Sequence, residues 1–148
     1  MGARCNLGKN VYVDAGAVIG DDVKIQNNVS VYVGVTIGDR VFVGPSVTFT
    51  NDRYPRAFVD DFDVVATNVL EGASIGANAT VVCGTTIGAY ATVGAGSVVT
   101  HDVADHQLVV GNPARHRGWV CRCGRLASSA AERPDGDVEC SRCGEVDG

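Results

Sequence analysis

Branched aliphatic residues recur at every sixth position from the start of the chain: Leu7, Val13, Ile19, Ile25, Val31, Ile37 and Val43, with Phe49 keeping the phase. Two positions before each later member stands a second small or β-branched residue: Val11, Ala17, Val23, Val29, Val35, Val41 and Val47. Gly or a polar residue commonly follows, as at Gly8, Asp14, Gly20, Gln26, Gly38 and Gly44. An amphipathic helix spaces its apolar positions near 3.6, so this period excludes one. A period of six predicts very short strands that turn at Gly, Asp or Asn. Three of them make a coil of about 18 residues, and the coils stack so that the aliphatic columns form one continuous core.

The column returns at Ile75, Val81, Ile87, Val93 and Val99, preceded by Ala73, Ala79, Thr85, Ala91 and Ser97. The step from Phe49 to Ile75 is 26 residues, which is not a multiple of six, so part of it lies outside the coils. The stretch from Asn51 to Thr67 holds Pro55, paired acids and aromatics without the repeat, and predicts a loop, 51–67, extruded from a rigid stack. Loops of this length on compact domains commonly carry function, with a tolerated surface insertion as the alternative.

At 148 residues and 45% hydrophobic content, the expectation is one cored domain over 1–118 and a small appendage over 119–148. A net charge of −5 disfavours a nucleic-acid partner. No stretch approaches the roughly 18 apolar residues of a membrane span. The opening MGARCNLGKN has no apolar secretory segment, so a cytoplasmic location is expected. The repeat is already under way by Leu7, from which the expectation is that another chain covers the first coil or that upstream coils belong with it.

Four of the six cysteines fall in the appendage: Cys121, Cys123, Cys140 and Cys143. CSRCG reads as a zinc knuckle and CRCG as a shorter half, sixteen residues away. So few residues bury too little apolar surface to fold alone, which makes a metal staple the expected solution. A closed set of four thiolates indicates structural Zn²⁺ rather than a catalytic ion. A disulfide or redox use is the alternative, disfavoured in a reducing compartment. Cys83 falls in a repeat turn and reads as a small packed residue.

The hexapeptide columns, the mid-chain loop and the ending LVVGNPAR together resemble the left-handed β-helix acyltransferases. Within that family, KIQNNVSVY, FVGPSVTFTNDRYPRA, GASIGANATVVCGTTIG and VGAGSVVTHDV resemble bacterial nucleotide-sugar N-acetyltransferases. Those enzymes acetylate the 3-amino group of a UDP-2-acetamido-3-amino-2,3-dideoxyglucuronate. The resemblance spans roughly residues 1–120 and implies an all-β, left-handed parallel β-helix. It also implies a homotrimer with acetyl-CoA as donor and active sites between subunits. Members of this group usually carry one to two further coils ahead of the point where this chain begins, and a lysine where His101 stands.

Amide formation needs a neutral amine held against a thioester carbonyl, a proton acceptor and donors for the oxyanion. No histidine occurs before His101, and His101, His106 and His116 read as solvated groups near the end of the stack. The loop is therefore the candidate. Asn51, which matches the family's active-site asparagine, can orient the amine, and Asp52 can accept its proton unless the departing thiolate does. The 18-residue coil sets Asn51 one coil above Val33, with Asn27 and Asn28 on a neighbouring corner. A turn-forming role for Asn51 is the alternative. Gln26, Asn27 and Asn28 can bind sugar hydroxyls or pyrophosphate, or else form a ladder along the turn. Tyr54 and Arg56 can meet a uracil ring and an acidic sugar or phosphate. Arg115 is placed for the phosphates of CoA, and Gly76, Gly94 and Asn112 match positions where the family lays the pantetheine arm. The function expected is N-acetylation of a UDP-linked 3-amino sugar for surface polysaccharide. A dTDP-linked amino sugar and a non-catalytic β-helix scaffold remain as alternatives.

Overall fold

The computed structural model describes residues 1–146, with side chains through Cys143. Strands in the first part are β1 (Asn6–Leu7), β2 (Tyr12–Val13), β3 (Val18–Ile19), β4 (Lys24–Ile25), β5 (Ser30–Val31), β6 (Val35–Ile37), β7 (Phe42–Val43) and β8 (Thr48–Phe49). After the loop come β9 (Thr67–Val69), β10 (Ser74–Ile75), β11 (Thr80–Val81), β12 (Thr86–Ile87), β13 (Thr92–Val93) and β14 (Val98–Val99). The chain then forms β15 (Gln107–Val110), β16 (Arg115–Val120), β17 (Leu126–Ser128) and the short helix α1 (Ser141–Val146).

Two-residue strands have no stability of their own, and stacking supplies it. Pairing is parallel and advances by one coil: Asn6 faces Lys24, Tyr12 faces Ser30, and Val18 faces Thr36, each 18 residues on. Every third strand therefore shares a sheet, giving a three-sided parallel solenoid. Both members of each aliphatic pair point inward. Val23, Ile25, Val29, Val31, Ile75 and Val81 are fully enclosed, and burying a Val or Ile side chain stabilises by about 1.5–3 kcal/mol. In the first coil, Leu7, Val11 and Val13 are only partly buried against the core.

Across the loop the pairing offset rises from 18 to 32 residues, as in Phe42 with Ser74 and Thr48 with Thr80, so fourteen residues are inserted without loss of register. The insertion ends earlier than the 51–67 boundary predicts. Thr67 already pairs with Val35 and is fully buried in β9, and Val69 belongs to the aliphatic column. The hexapeptide reading missed this because Leu70 and Glu71 stand where other turns hold Gly and a polar residue. The column also runs one strand beyond Val103, to the buried Val109 of β15.

Corners are held by side chains as well as backbone. Asp21 accepts the Ala3 N–H at 2.7 Å, Asp39 accepts that of Asp21 at 2.8 Å, and Asp105 accepts that of Ala89 at 2.7 Å. These carboxylates replace the backbone acceptors that the turning chain loses. On another corner Gly44, Gly76 and Gly94 stack where successive coils come closest.

At the far end, β15 receives β16 antiparallel, and β16 receives β17. The boundary at 118/119 thus falls inside β16, and the cysteine appendage continues the solenoid's eight-stranded sheet. Trp119 is buried there, its Nε1–H donating to the Ala130 carbonyl at 3.1 Å. No helix among the described residues is long and apolar enough to cross a membrane.

The corner packing gives a direct test. A Cβ on Gly76 would stand 2.5 Å from the Ala95 amide nitrogen, whereas one on Gly96 would meet nothing within 4 Å. Gly96→Ala should therefore cost only its left-handed backbone strain, about 1–2 kcal/mol, and Gly76→Ala should cost more because two coils must separate. Equal denaturation midpoints for the two variants would contradict this packing.

Candidate functional site

The loop springs from the corner between the sheets of β8 and β9. Asn51 Nδ2 donates to the Val33 carbonyl at 3.2 Å, one coil below as the 18-residue spacing requires. The Asn51 carbonyl accepts the Val65 N–H at 3.0 Å, which closes the loop base. The Nδ2 bond fixes the amide plane. Among the described residues, Oδ1 receives no hydrogen bond and stays available as an acceptor. Asp52 Oδ1 accepts the Tyr54 N–H at 2.9 Å, a local Asx turn that sets the direction of the loop. Thr50 Oγ1 accepts the Cys83 N–H at 2.9 Å and ties the same corner to the coil above.

Above this base lies a cleft of about 350 Å³ lined by Asp52, Arg53, Tyr54, Val59, Phe62 and Val65 with Asp61 and Asp63. Tyr54 and Phe58 are the most exposed aromatics of the loop, at 79% and 82%. Arg56 lies outside the cleft, its Nη1 donating to the neighbouring Pro55 carbonyl at 2.8 Å. Arg53, which the sequence did not single out, lines it and donates to the Cys83 carbonyl at 3.4 Å. No spacing rule separates Arg53 from Arg56; only the course of the loop does.

The other candidates gather on a different corner. Asn27 Oδ1 accepts the Lys9 N–H at 2.7 Å, and Asn28 Oδ1 accepts from Asn10 Nδ2 at 3.3 Å. These two side chains form the ladder that the sequence left open as an alternative, while Gln26 is half-buried with its side-chain amide free of partners among the described residues. Gly76 and Gly94 stack above them. Their N–H groups donate to Val93 and Val109 at 2.8 and 2.9 Å, so those amides serve coil stacking. Asn112 and Arg115 are exposed in and after the turn that follows β15, with Arg115 Nη1 reaching only the Ala114 carbonyl at 3.3 Å. Within one chain the sheet of β2, β5, β8, β11 and β14 separates this corner from Asn51 and the loop.

The histidines divide. His101 is exposed, with Nδ1 3.0 Å from Thr100 Oγ1. Register carries it two coils above Asn51 on the same corner, with Cys83 between them. His106 and His116 are fasteners rather than solvated groups. His106 Nδ1–H donates to the Val120 carbonyl at 2.8 Å, and its ring stacks on Tyr90 with centroids 5.4 Å apart. His116 Nε2–H donates to the Ala130 carbonyl at 2.8 Å.

Four sulfurs converge beside β16. Those of Cys121, Cys123, Cys140 and Cys143 lie within 4.8 Å of one another, and all four residues are free cysteines. The Cys123 and Cys140 sulfurs are 3.5 Å apart, far beyond the roughly 2.05 Å of a disulfide. Four thiolates about 2.3 Å from one zinc stand roughly 3.8 Å from each other, so the set fits a tetrahedral ion. The backbone N–H of Arg125, and then its guanidinium, lower the Cys123 thiol to about 6. Hydrogen bonding to Cys123 first, then to Cys121 and Cys140, raises Cys143 to about 12. Binding a metal at such a set would release the remaining thiol protons.

The bacterial transferase hexapeptide (six repeats) pattern matches residues 16–51 and 66–101, either side of the loop. Over 57 residues the chain is 49% identical to the dTDP-3-amino-3,6-dideoxy-alpha-D-galactopyranose 3-N-acetyltransferase of Aneurinibacillus thermoaerophilus, covering 38% of this chain and 30% of that one. Over 116 residues it is 38% identical to Serine acetyltransferase 4 of Arabidopsis thaliana, covering 77% of this chain and 28% of that one. Among solved structures, a hexapeptide-repeat containing acetyltransferase from Vibrio cholerae superposes with a TM-score of 0.71 at 30% identity, over 78% of this chain and 70% of that one. That protein has also been solved in complex with acetyl coenzyme A. The chain spans less than a third of the two curated relatives named. Its coils, their period and these likenesses agree: the chain belongs to the hexapeptide-repeat acetyltransferase family.

Proposed function

We propose that the protein transfers the acetyl group of acetyl-CoA to the amine of a nucleotide-linked amino sugar, a UDP-linked 3-amino sugar for surface polysaccharide, in the cytoplasm. The observation that carries this is the fixed Asn51 amide at the base of the loop, next to the cleft's Asp52, its Nδ2 engaged by Val33 and its Oδ1 open. An open amide oxygen accepts one N–H of a neutral amine and aims the nitrogen lone pair away from itself. The amine attacks the thioester carbonyl, the C–N bond forms and the C–S bond breaks. The amine's proton goes to Asp52 or to the departing thiolate. Likeness to a 3-amino-sugar N-acetyltransferase at 49% identity supports the acceptor class, and with it a dTDP sugar as the close alternative. Likeness to serine acetyltransferase favours a second reading, O-acetylation of a small hydroxy amino acid.

The separation of the corners supports the homotrimer. Gln26 and the Gly76–Gly94–Asn112 line lie across a whole sheet from Asn51, so a site that uses both needs a second subunit. Closed rings are the common outcome of such heterologous contacts. Light scattering should give a trimer, and activity should track it; an active monomer would contradict this assembly.

Variants separate the roles at the loop. Asn51→Ala should lower kcat sharply with acetyl-CoA and the 3-amino sugar, because a misaimed amine loses its proximity advantage. Asp52→Asn keeps the Asx turn and removes the base, so a loss of about 10²–10⁴-fold assigns proton transfer to Asp52. Near-normal turnover assigns it to the leaving thiolate. Wild-type rates in both variants would remove the loop from catalysis. Acetylation of serine in place of the sugar would select the second reading, and failure to bind CoA would select a scaffold.

We also propose that Cys121, Cys123, Cys140 and Cys143 hold one Zn²⁺, which supplies a structural cross-link. Comparable sites contribute roughly 10–16 kcal/mol of apparent binding free energy. Chelation should release β17 and α1 to hydrogen exchange, while β16 stays protected through its pairing with β15 and the coils persist. Less than about half an equivalent of zinc in protein purified without chelators would contradict this.

A further inference from the structure

Among the described residues, Arg53 is the one cation that lines the loop cleft. Among the described residues the ion pairs are Arg4 with Asp22 and Arg40 with Glu71, and Arg53 takes part in neither. This holds although Asp52, Asp61 and Asp63 line the same cleft. Its Nη2 makes one long bond, 3.4 Å, to the Cys83 carbonyl. A guanidinium carries five N–H donors in a rigid fork, so most of that fork is unspent.

The fork has a built floor. It rests on Gly84, where a Cβ would stand 2.3 Å from Nη2 and 3.2 Å from Val65 Cγ1. Gly84 also has φ +86°, a conformation that favours glycine. The bare backbone there leaves room for the guanidinium beside Cys83, the residue one coil above Asn51. The arginine thus reaches the Cys83 carbonyl, in register with Asn51 one coil below.

We infer, on the reading of the site as an amino-sugar acetyltransferase, that Arg53 is a specificity residue whose fork binds an anionic oxygen group of the nucleotide sugar, a carboxylate or a phosphate. The fork matches either group in two-point fashion. The carboxylates around it repel a simple anion, so the cleft suits a ligand that carries an amine beside its anionic group. Arg56 is not equivalent, since it turns onto Pro55 outside the cleft. A side chain at 84 would displace the guanidinium, and the φ of +86° separately favours glycine there.

The test is calorimetric titration of wild type, Arg53→Lys, Arg53→Gln and Gly84→Ala with UDP-glucuronate and UDP-glucose, with dTDP-glucose as a base control. Arg53→Gln should weaken binding by about ten- to hundred-fold. A loss confined to UDP-glucuronate identifies a sugar carboxylate, and an equal loss for all three identifies the diphosphate. Arg53→Lys should fall between wild type and Arg53→Gln, because it keeps the charge and loses the fork. Gly84→Ala, with Arg53 intact but displaced, should lose the same ligands; its backbone is strained at φ +86°, so the exposed Arg53 variants, with unfolding midpoints near wild type, carry the test. Unchanged affinity of Arg53→Gln for every ligand overturns the inference and leaves the acetyltransferase reading standing. A wild type that binds none of the three, nor a UDP-linked 3-amino sugar titrated beside them, refutes the sugar reading itself, and this inference with it.

Discussion

Every feature of this molecule hangs on the backbone hydrogen bond from one coil to the next. Lys24 N–H to Val41 at 3.0 Å, Phe42 N–H to Ala73 at 3.0 Å and Ser74 N–H to Ala91 at 2.9 Å are successive rungs of one ladder. Strands of two residues hold only because each rung is continued above and below, so a residue's neighbours are those one coil away rather than those beside it in sequence. The same constraint makes the solenoid tolerant at its corners. Fourteen residues enter after Asn51, yet Thr67 still returns to Val35. The fold can thus hold a flexible-looking, chemically mixed loop against a rigid wall without disturbing the wall.

Much of this was legible from periodicity. The inward columns, the coil length and the placement of Asn51 over Val33 follow from counting in sixes, because enclosed positions in a narrow prism admit only small or branched apolar side chains. The ends of the irregular segments were less legible. Thr67 reads as polar and the following turn lacks its usual glycine, so the restart of the stack was hidden until the pairing of β9 was seen. Likewise, nothing in the local sequence of DHQLVVGNPARHRGWV announces that β15 and β16 pair and carry the solenoid into the cysteine-bearing appendage. Antiparallel pairing through a turn has no hexapeptide signature.

The candidate site shows the same division. The position of Asn51 and Asp52 was readable because the loop must leave the stack at a fixed corner. Asn27 and Asn28 were readable as corner residues, and the coil below takes both of their side-chain oxygens. Which arginine enters the cleft was not readable. That depends on the Asx turn at Asp52 and on the absence of a side chain at Gly84, an atom-level fit between residues thirty positions apart. The cysteine cluster is the converse case. Cysteine spacing indicated it, and the geometry adds that Cys121 follows directly on β16, so the cluster is anchored to the sheet that continues the stack.

On the proposed function, the corner at Asn51 receives the acceptor amine while the loop cleft holds the rest of a nucleotide sugar. A crystal structure of the protein with CoA and a UDP-linked 3-amino sugar would decide this. The sugar nitrogen should lie within hydrogen-bond distance of Asn51 Oδ1, with the nucleotide sugar against the loop. A sugar bound with its amine on another corner, or CoA bound with no acceptor density near Asn51, would contradict it.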